Sequence, residues 1–476
     1  MRNLLTLFVF LMMAGSAHAA LIIVDRADDL GIAGDGGCDL REAVNSANLD
    51  FALEDCAAGE ADTLDLILID VDGPIQLQSE IDVIRSALIG SFGDRTSIEI
   101  IAGPNSRHFH VNQSDSNDDD FAIVDLHLKN GSRSDYGGSI WVEDAGSVDI
   151  VDSIFENNEA PDGGAIYVNR NVTESFELQR NQFINNRAVA LGGAVFGARI
   201  SASSPLIARN LFLGNSADKG GAIFLSNTGD DTDILRNRFY ANTANDGGAL
   251  YLSASSGDHA YKTARNVYLD NVAEDFGGAI FAVGQGLRVE IVNSTLGMNQ
   301  ANEGGAIVSI RAAVQVYAST LAHNSAVSAG SQAYQEQTGV IGFAKSILAY
   351  GQQTDNCSGN TVAFVDNIDD DGSCGFDPND GNLVADPLLT DLIEYDNPNP
   401  DVPLLLPGFE LTLDSPAIDY EDNSMCWIPP GMDLEEDQNG QSRDVDGNDD
   451  GIATCDLGAL EAPENNDAIF ADRFDG

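Results

Sequence analysis

Apolar and polar positions along this chain recur with a long period, not a helical one. Pairs of glycines at Gly137, Gly163, Gly192, Gly220, Gly247, Gly277 and Gly304, spaced 26 to 30 residues apart, each open a short apolar run. The runs read GGSIWV, GGAIYV, GGAVFG, GGAIFL, GGALYL, GGAIFA and GGAIVS. A second motif is interleaved: an aromatic or leucine, asparagine three residues on, alanine two beyond. It occurs at Phe155/Asn158/Ala160, Phe183/Asn186/Ala188, Phe212/Asn215/Ala217, Phe239/Asn242/Ala244, Tyr268/Asn271/Ala273, Leu296/Asn299/Ala301 and Leu321/Asn324/Ala326. Each period holds two or three strand-length apolar runs divided by Gly, Asn and Asp, and no helix-length stretch. A unit of about 27 residues cannot bury its own apolar face, so each must stack on the next. Stacking like strands in register gives parallel sheets. The predicted fold is therefore all-β: a right-handed parallel β-helix with coils of about 27 residues.

Stacking turns repeated residues into columns. Ile140, Ile166, Val195, Ile223, Leu250, Ile280 and Ile307 are predicted to line the interior. Strand alternation then points Trp141, Tyr167, Phe196, Phe224, Tyr251 and Phe281 the other way, as a candidate platform for sugar rings or a partner protein. The competing arrangement buries these aromatics as packing, and side-chain exposure decides between the two. The repeated asparagines are expected to form a ladder of stacked amides.

A solenoid needs caps. Asp39 followed three residues later by Glu42 is a capping box, and Leu40, Ala43, Val44 and Ala47 fall on one helical face. That helix is predicted to cover the first coil. Residues 1–19 read as an export signal: Arg2, an apolar run over 4–14, then Ala17-His18-Ala19. In an oxidising compartment the six cysteines are expected to pair locally, Cys38 with Cys56, Cys357 with Cys374 and Cys426 with Cys455, among the fifteen pairings six allow.

The segment CDLREAVNSAN resembles the CSLREA motif at the start of secreted bacterial β-helix proteins, with Asp39 where that motif has Ser. The GGA-I and F-x-x-N motifs resemble the repeats of polymorphic outer membrane proteins. Asp414-Ser415-Pro416-Ala417-Ile418-Asp419 and Cys455-Asp456-Leu457-Gly458-Ala459-Leu460-Glu461 resemble the end of a choice-of-anchor Q domain. The resemblance implies export to the bacterial surface or beyond and leaves molecular function open. The expected organisation is signal 1–19, cap 20–60, β-helix 61–350, a disulfide-stapled, acid-rich C-terminal region 351–461, and an acidic tail 462–476.

Charge narrows the partners. Twenty-three basic against 76 acidic residues give −53, which excludes nucleic acid and a basic membrane-binding face. After signal cleavage no transmembrane segment is expected. Asn367-x-Asp369-x-Asp371-Gly372 matches the start of a calcium loop, although position twelve is Pro378; Asp444, Asp446 and Asn448 form a similar run. Ca²⁺ is therefore the candidate cofactor. Asp218, Asp246, Asp275 and Glu303, and likewise Arg180, Arg209, Arg236 and Arg265, occur once per coil and read as scaffold, because an active site interrupts a repeat. His108 and His110 could share a strand face without a third metal ligand. No catalytic residues are assigned. The expectation is a non-enzymatic surface or extracellular β-helix for adhesion, ligand binding or scaffolding, with glycans or surface proteins as partners; the alternative is a polysaccharide lyase or glycoside hydrolase on the same scaffold.

Overall fold

The computed structural model describes residues 19–462 except 31–35, 54, 92–97, 114–118, 230, 256–257, 394–404, 421–426, 429–431, 449–450 and 452. The expected signal, apart from its last residue, and the tail from 463 lie outside the described residues. The chain divides into two compact units, Met1–Asp233 with Tyr240–Ser253, and Ile234–Phe239 with Ala254–Gly476. Each is a stack of coils joined by parallel pairing.

One coil of the first unit shows the plan. After Gly163-Gly164, strand Ile166–Asn169 makes a first face, Val172–Gln179 a second and Gln182–Ile184 a third. Arg187–Leu191 then runs as an arm to the next glycine pair. Equivalent residues pair in register: Ile140 with Ile166, Ile166 with Val195, Val195 with Ile223, Ile223 with Leu250. This aliphatic column is fully buried, as is the stack Phe155, Phe183 and Phe212 on the third face. The second unit repeats the scheme with Ile280, Ile307 and Ala333 in register. Its pairing runs on past residue 350, where Cys357–Ser358, Thr361–Val365 and Ile368–Asp369 each join the preceding coil.

The two glycines of each pair have different reasons. The first adopts positive φ, 64° at Gly192 and 66° at Gly220, where a side chain is strained. The second is crowded: a Cβ on Gly193 would overlap the carbonyl oxygen of Gly221 in the next coil.

The asparagines form a buried ladder. In the first unit Asn186 Oδ1 accepts from both the backbone N–H and the amide of Asn158, and Asn215 and Asn242 repeat the pattern. Each amide also donates to a backbone carbonyl, as Asn215 does to Phe183. Asn271, Asn299 and Asn324 do the same in the second unit. A second ladder at the corner between the second and third faces escaped the sequence reading. It runs through Ser153, Asn181 and Asn210 in one unit, and through Asn237, Asn266, Ser294, Ser319, Ser346, Asn367 and Asn382 in the other. The arginines before its asparagines hold positive φ, 57° at Arg180 and 58° at Arg209, which makes them corner residues.

Helix α1 (Leu40–Leu49) carries the capping box: Asp39 accepts from the Glu42 N–H, and the Glu42 carboxylate accepts from the Asp39 N–H. Leu40, Ala43, Val44 and Ala47 are buried against strands Leu21–Val24, Asp65–Ile69 and Ile81–Val83. Cys38–Cys56 and Cys357–Cys374 are disulfides. Cys455 is also disulfide-bonded, while its expected partner Cys426 lies outside the described residues.

Candidate functional site

The aromatic column faces away from the aliphatic one, but it is roofed. Tyr167, Phe196, Phe224 and Tyr251 are only 6 to 9% exposed, and Phe281 in the second unit is 4%. The arm of each coil lies over the rings: Lys219 Nζ sits 5.4 Å from the Tyr251 ring, and burial together with Asp246 and Asp218 pushes the Tyr251 hydroxyl up to about 12. The rings stack face to face, 4.6 Å apart for Tyr167–Phe196 and 5.3 Å for Phe196–Phe224. An open platform of six is therefore corrected to packing along most of its length, since stacked flat rings and an overlying arm leave little edge to solvent.

In the first unit the column opens at its N-terminal end. Backbone register extends it from Tyr167 to Trp141, then His110, then Asp82. Here the repeat is broken. The arm position that holds Asp162 in the following coil is Tyr136, 38% exposed, and its ring stacks 4.3 Å from Tyr167 and tilts against Trp141. Trp141, half-buried, stacks 4.3 Å from His110. A register shift between Val142 and Asp144 makes Glu143 the extra residue of a β-bulge, a device that re-aims a side chain. The result brackets His110 between two carboxylates: Nδ1 is 3.1 Å from Asp82 Oδ1, and Nε2 is 3.0 Å from Glu143 Oε2. The Asn112 amide also donates to Glu143 Oε2.

Beneath the patch four charges cancel. Arg107, completely buried, lies 4.8 Å over the Trp141 ring, 3.0 Å from Glu80 and 2.6 Å from Asp135. Arg133 grips Asp135 through two hydrogen bonds. Burial pushes the Asp135 carboxyl up, but Arg133 and Arg107 outweigh it and hold it at about 2. Burial lowers the Arg107 guanidinium. Its Nη1 has no hydrogen-bond partner, a rarity for a buried donor.

His108 and His110 do not share a face. His108 lies just before strand Phe109–Asn112, at the bend, and turns inward. Its Nε2–H donates to the Ile100 carbonyl and its Nδ1 accepts from the Ser139 hydroxyl, while burial pulls it down to about 4. It is a neutral structural group.

The calcium candidates are rearranged. Asn367 is a ladder rung: its Oδ1 accepts from the Ser346 N–H and its amide donates to Asn382. Asp369 and Asp371 come together with Asp370 instead, their carboxylate oxygens within 4.8 Å of one another. All three surround Asn356, whose backbone N–H and amide donate to them. Burial, with Asp371 nearby, raises Asp369 to about 6. The second run folds differently: Asp446 accepts from the Gly451 N–H, and the Asn448 N–H donates to Asp419. Among the described residues Asp444 and Asp446 join no third metal-type ligand.

Against known proteins, residues 116–296 match the family model described as right handed beta helix region. No curated protein and no solved structure matches the chain. The match, with the stacked coils, supports a right-handed β-helix fold, which is found in enzymes such as pectate lyase as well as in non-enzymes.

Proposed function

We propose that the chain is an exported bacterial β-helix that binds saccharide at the cell surface or outside the cell, without catalysis, through the open end of its aromatic column. The observation that carries this is the break itself: among the rings of the first unit, where Tyr167, Phe196, Phe224 and Tyr251 are roofed, Tyr136 and Trp141 are partly open and rimmed by Asp82, His110 and Glu143. Flat rings give sugar faces a surface, and carboxylates give hydroxyls acceptors. Export is supported by the local disulfides, by the CSLREA-like start at Cys38 and by the choice-of-anchor Q-like end through Glu461. No helix among the described residues is long and apolar enough to cross a membrane. A glycan array on the mature chain tests the proposal: binding that Tyr136→Ala abolishes supports it, and no binding to any saccharide refutes it.

Two carboxyls flanking one imidazole also favour a second reading, hydrolysis of the bound glycan. Product analysis on any array hit separates the two, since shortened oligomers lost with Glu143→Gln would make the protein an enzyme.

A divalent-cation role rests on Asp369, Asp370 and Asp371 alone. An ion bound only by the folded chain raises its melting temperature. Melting should therefore come higher in millimolar Ca²⁺ than in EDTA, and equal temperatures remove calcium from the account.

A further inference from the structure

Resting on the saccharide reading above, we propose that the site selects amino sugars: oligomers of de-N-acetylated glucosamine or a similar cationic hexose, to the exclusion of the uronate polymers. The charge balance of the patch carries this. Its two arginines are already committed, Arg107 at zero exposure between Glu80 and Asp135, Arg133 by a two-bond grip on Asp135, and its imidazole, His110, lies between Asp82 and Glu143. An anionic glycan finds no free guanidinium there. Its two open anions are the reverse case. The Asp82 side chain is 67% exposed and that of Glu143 45%. Each engages His110 through one oxygen only, and Asp82 Oδ2 and Glu143 Oε1 accept no hydrogen bond among the described residues.

The geometry already suits a nitrogen donor. His110 itself shows the pairing these groups accept, a flat ring stacked on Trp141 with its nitrogens 3.1 and 3.0 Å from the carboxylates; it takes one oxygen of each, which leaves Asp82 Oδ2 and Glu143 Oε1 beside the partly open rings of Tyr136 and Trp141. A hexosamine offers the same pairing of a flat face with a charged nitrogen, and an ammonium held by a carboxylate makes the stronger, charge-assisted bond. Over the whole molecule, −53 raises the local concentration of cationic glycans and repels polyuronates.

Calorimetry at about physiological salt, where long-range attraction is screened beyond roughly 8 Å, tests this with three short probes: a glucosamine oligomer, its fully N-acetylated counterpart, and an oligogalacturonate. The glucosamine oligomer should bind about tenfold more tightly than the acetylated one, a preference the Asp82→Asn, Glu143→Gln double variant erases. The oligogalacturonate should not bind. Tyr136→Ala should weaken both glucosamine probes. A Glu60→Gln, Glu174→Gln double variant removes two exposed charges elsewhere and should change nothing. Equal affinity for acetylated and free amines overturns the amino-sugar inference and leaves saccharide binding standing. Equal weakening by both double variants shows surface acidity rather than a site, and also overturns it. Failure of every probe, together with a blank glycan array, brings down the saccharide reading itself.

Discussion

A buried asparagine shows how much one residue can carry in a repeating fold. Asn215 is unexposed, and its amide donates to Asn242 and to the Phe183 carbonyl while its oxygen accepts two bonds from Asn186. Asn215→Ala leaves those partners buried and unmatched, which costs about 3 kcal/mol at the usual 1–3 for each unsatisfied group after some relaxation. Denaturant unfolding should show that loss at unchanged slope. This ladder was readable because every rung keeps the same letter. The second was not, because its rungs switch from Ser to Asn and back along the stack and only the positive-φ residue before each marks the place. The open end of the aromatic column was missed for a related reason. Asp82, His110 and Trp141 share a column only through backbone register, and the glycine pairs that announce register begin at Gly137, after the first two of them. Charge pattern over-reached at Asn367, where alternate acids looked like a calcium loop but the amide had a prior claim within the stack.

Elements in this fold are shaped by what lies across from them. On the third face of the second unit the outward column shrinks from Leu269 to Gly297, Ala322 and Ala349. The C-terminal segment occupies the space released. Phe409 lies against Gly297, Gln438 accepts from the Thr295 hydroxyl at 2.7 Å, and the Gly458 N–H donates to the Lys345 carbonyl. Arg443, buried, ties it down through Asn293 Oδ1 and the Gly458 carbonyl. Gly297→Leu restores the bulk of Leu269 where Phe409 must sit, and Gly297 does not hold a positive φ that would forbid it. The expected result is a segment released from its seat: limited proteolysis should cut within 405–462 in the variant while the coils survive, and a cleavage pattern identical to the parent would refute the seating. The sequence foresaw a C-terminal region here but not its docking, because a loss of side-chain size carries no motif.

The whole chain is built to tolerate acid. Burial raises Asp65 and Asp369 to about 6 and Asp149 and Asp456 to about 7; it also raises Glu461, which lies beside Asp456 and pairs with Arg443. A carboxyl whose folded pKa lies above its unfolded value binds more protons when folded. Its contribution is complete below the unfolded value near 4 and is lost as pH rises through the folded value. Stability should therefore climb as pH falls from about 8 toward 5. Two histidines oppose this: burial lowers His108 to about 4 and lowers His323, so each costs stability as pH drops below about 6.5. Five carboxyls outweigh two imidazoles, and protonation also relieves the self-repulsion of a chain at −53. Below about pH 4 the sign reverses, because Asp135, held at about 2 by its arginines, begins to lose them. Melting temperature measured across this range should peak near pH 5. The Asp149→Asn, Asp456→Asn pair, which keeps the shape while removing two of the raised groups, should flatten the climb between pH 5 and 7. A melting temperature that instead rises steadily toward pH 8 would mean these carboxyls are charged and content in the folded chain, contrary to their burial.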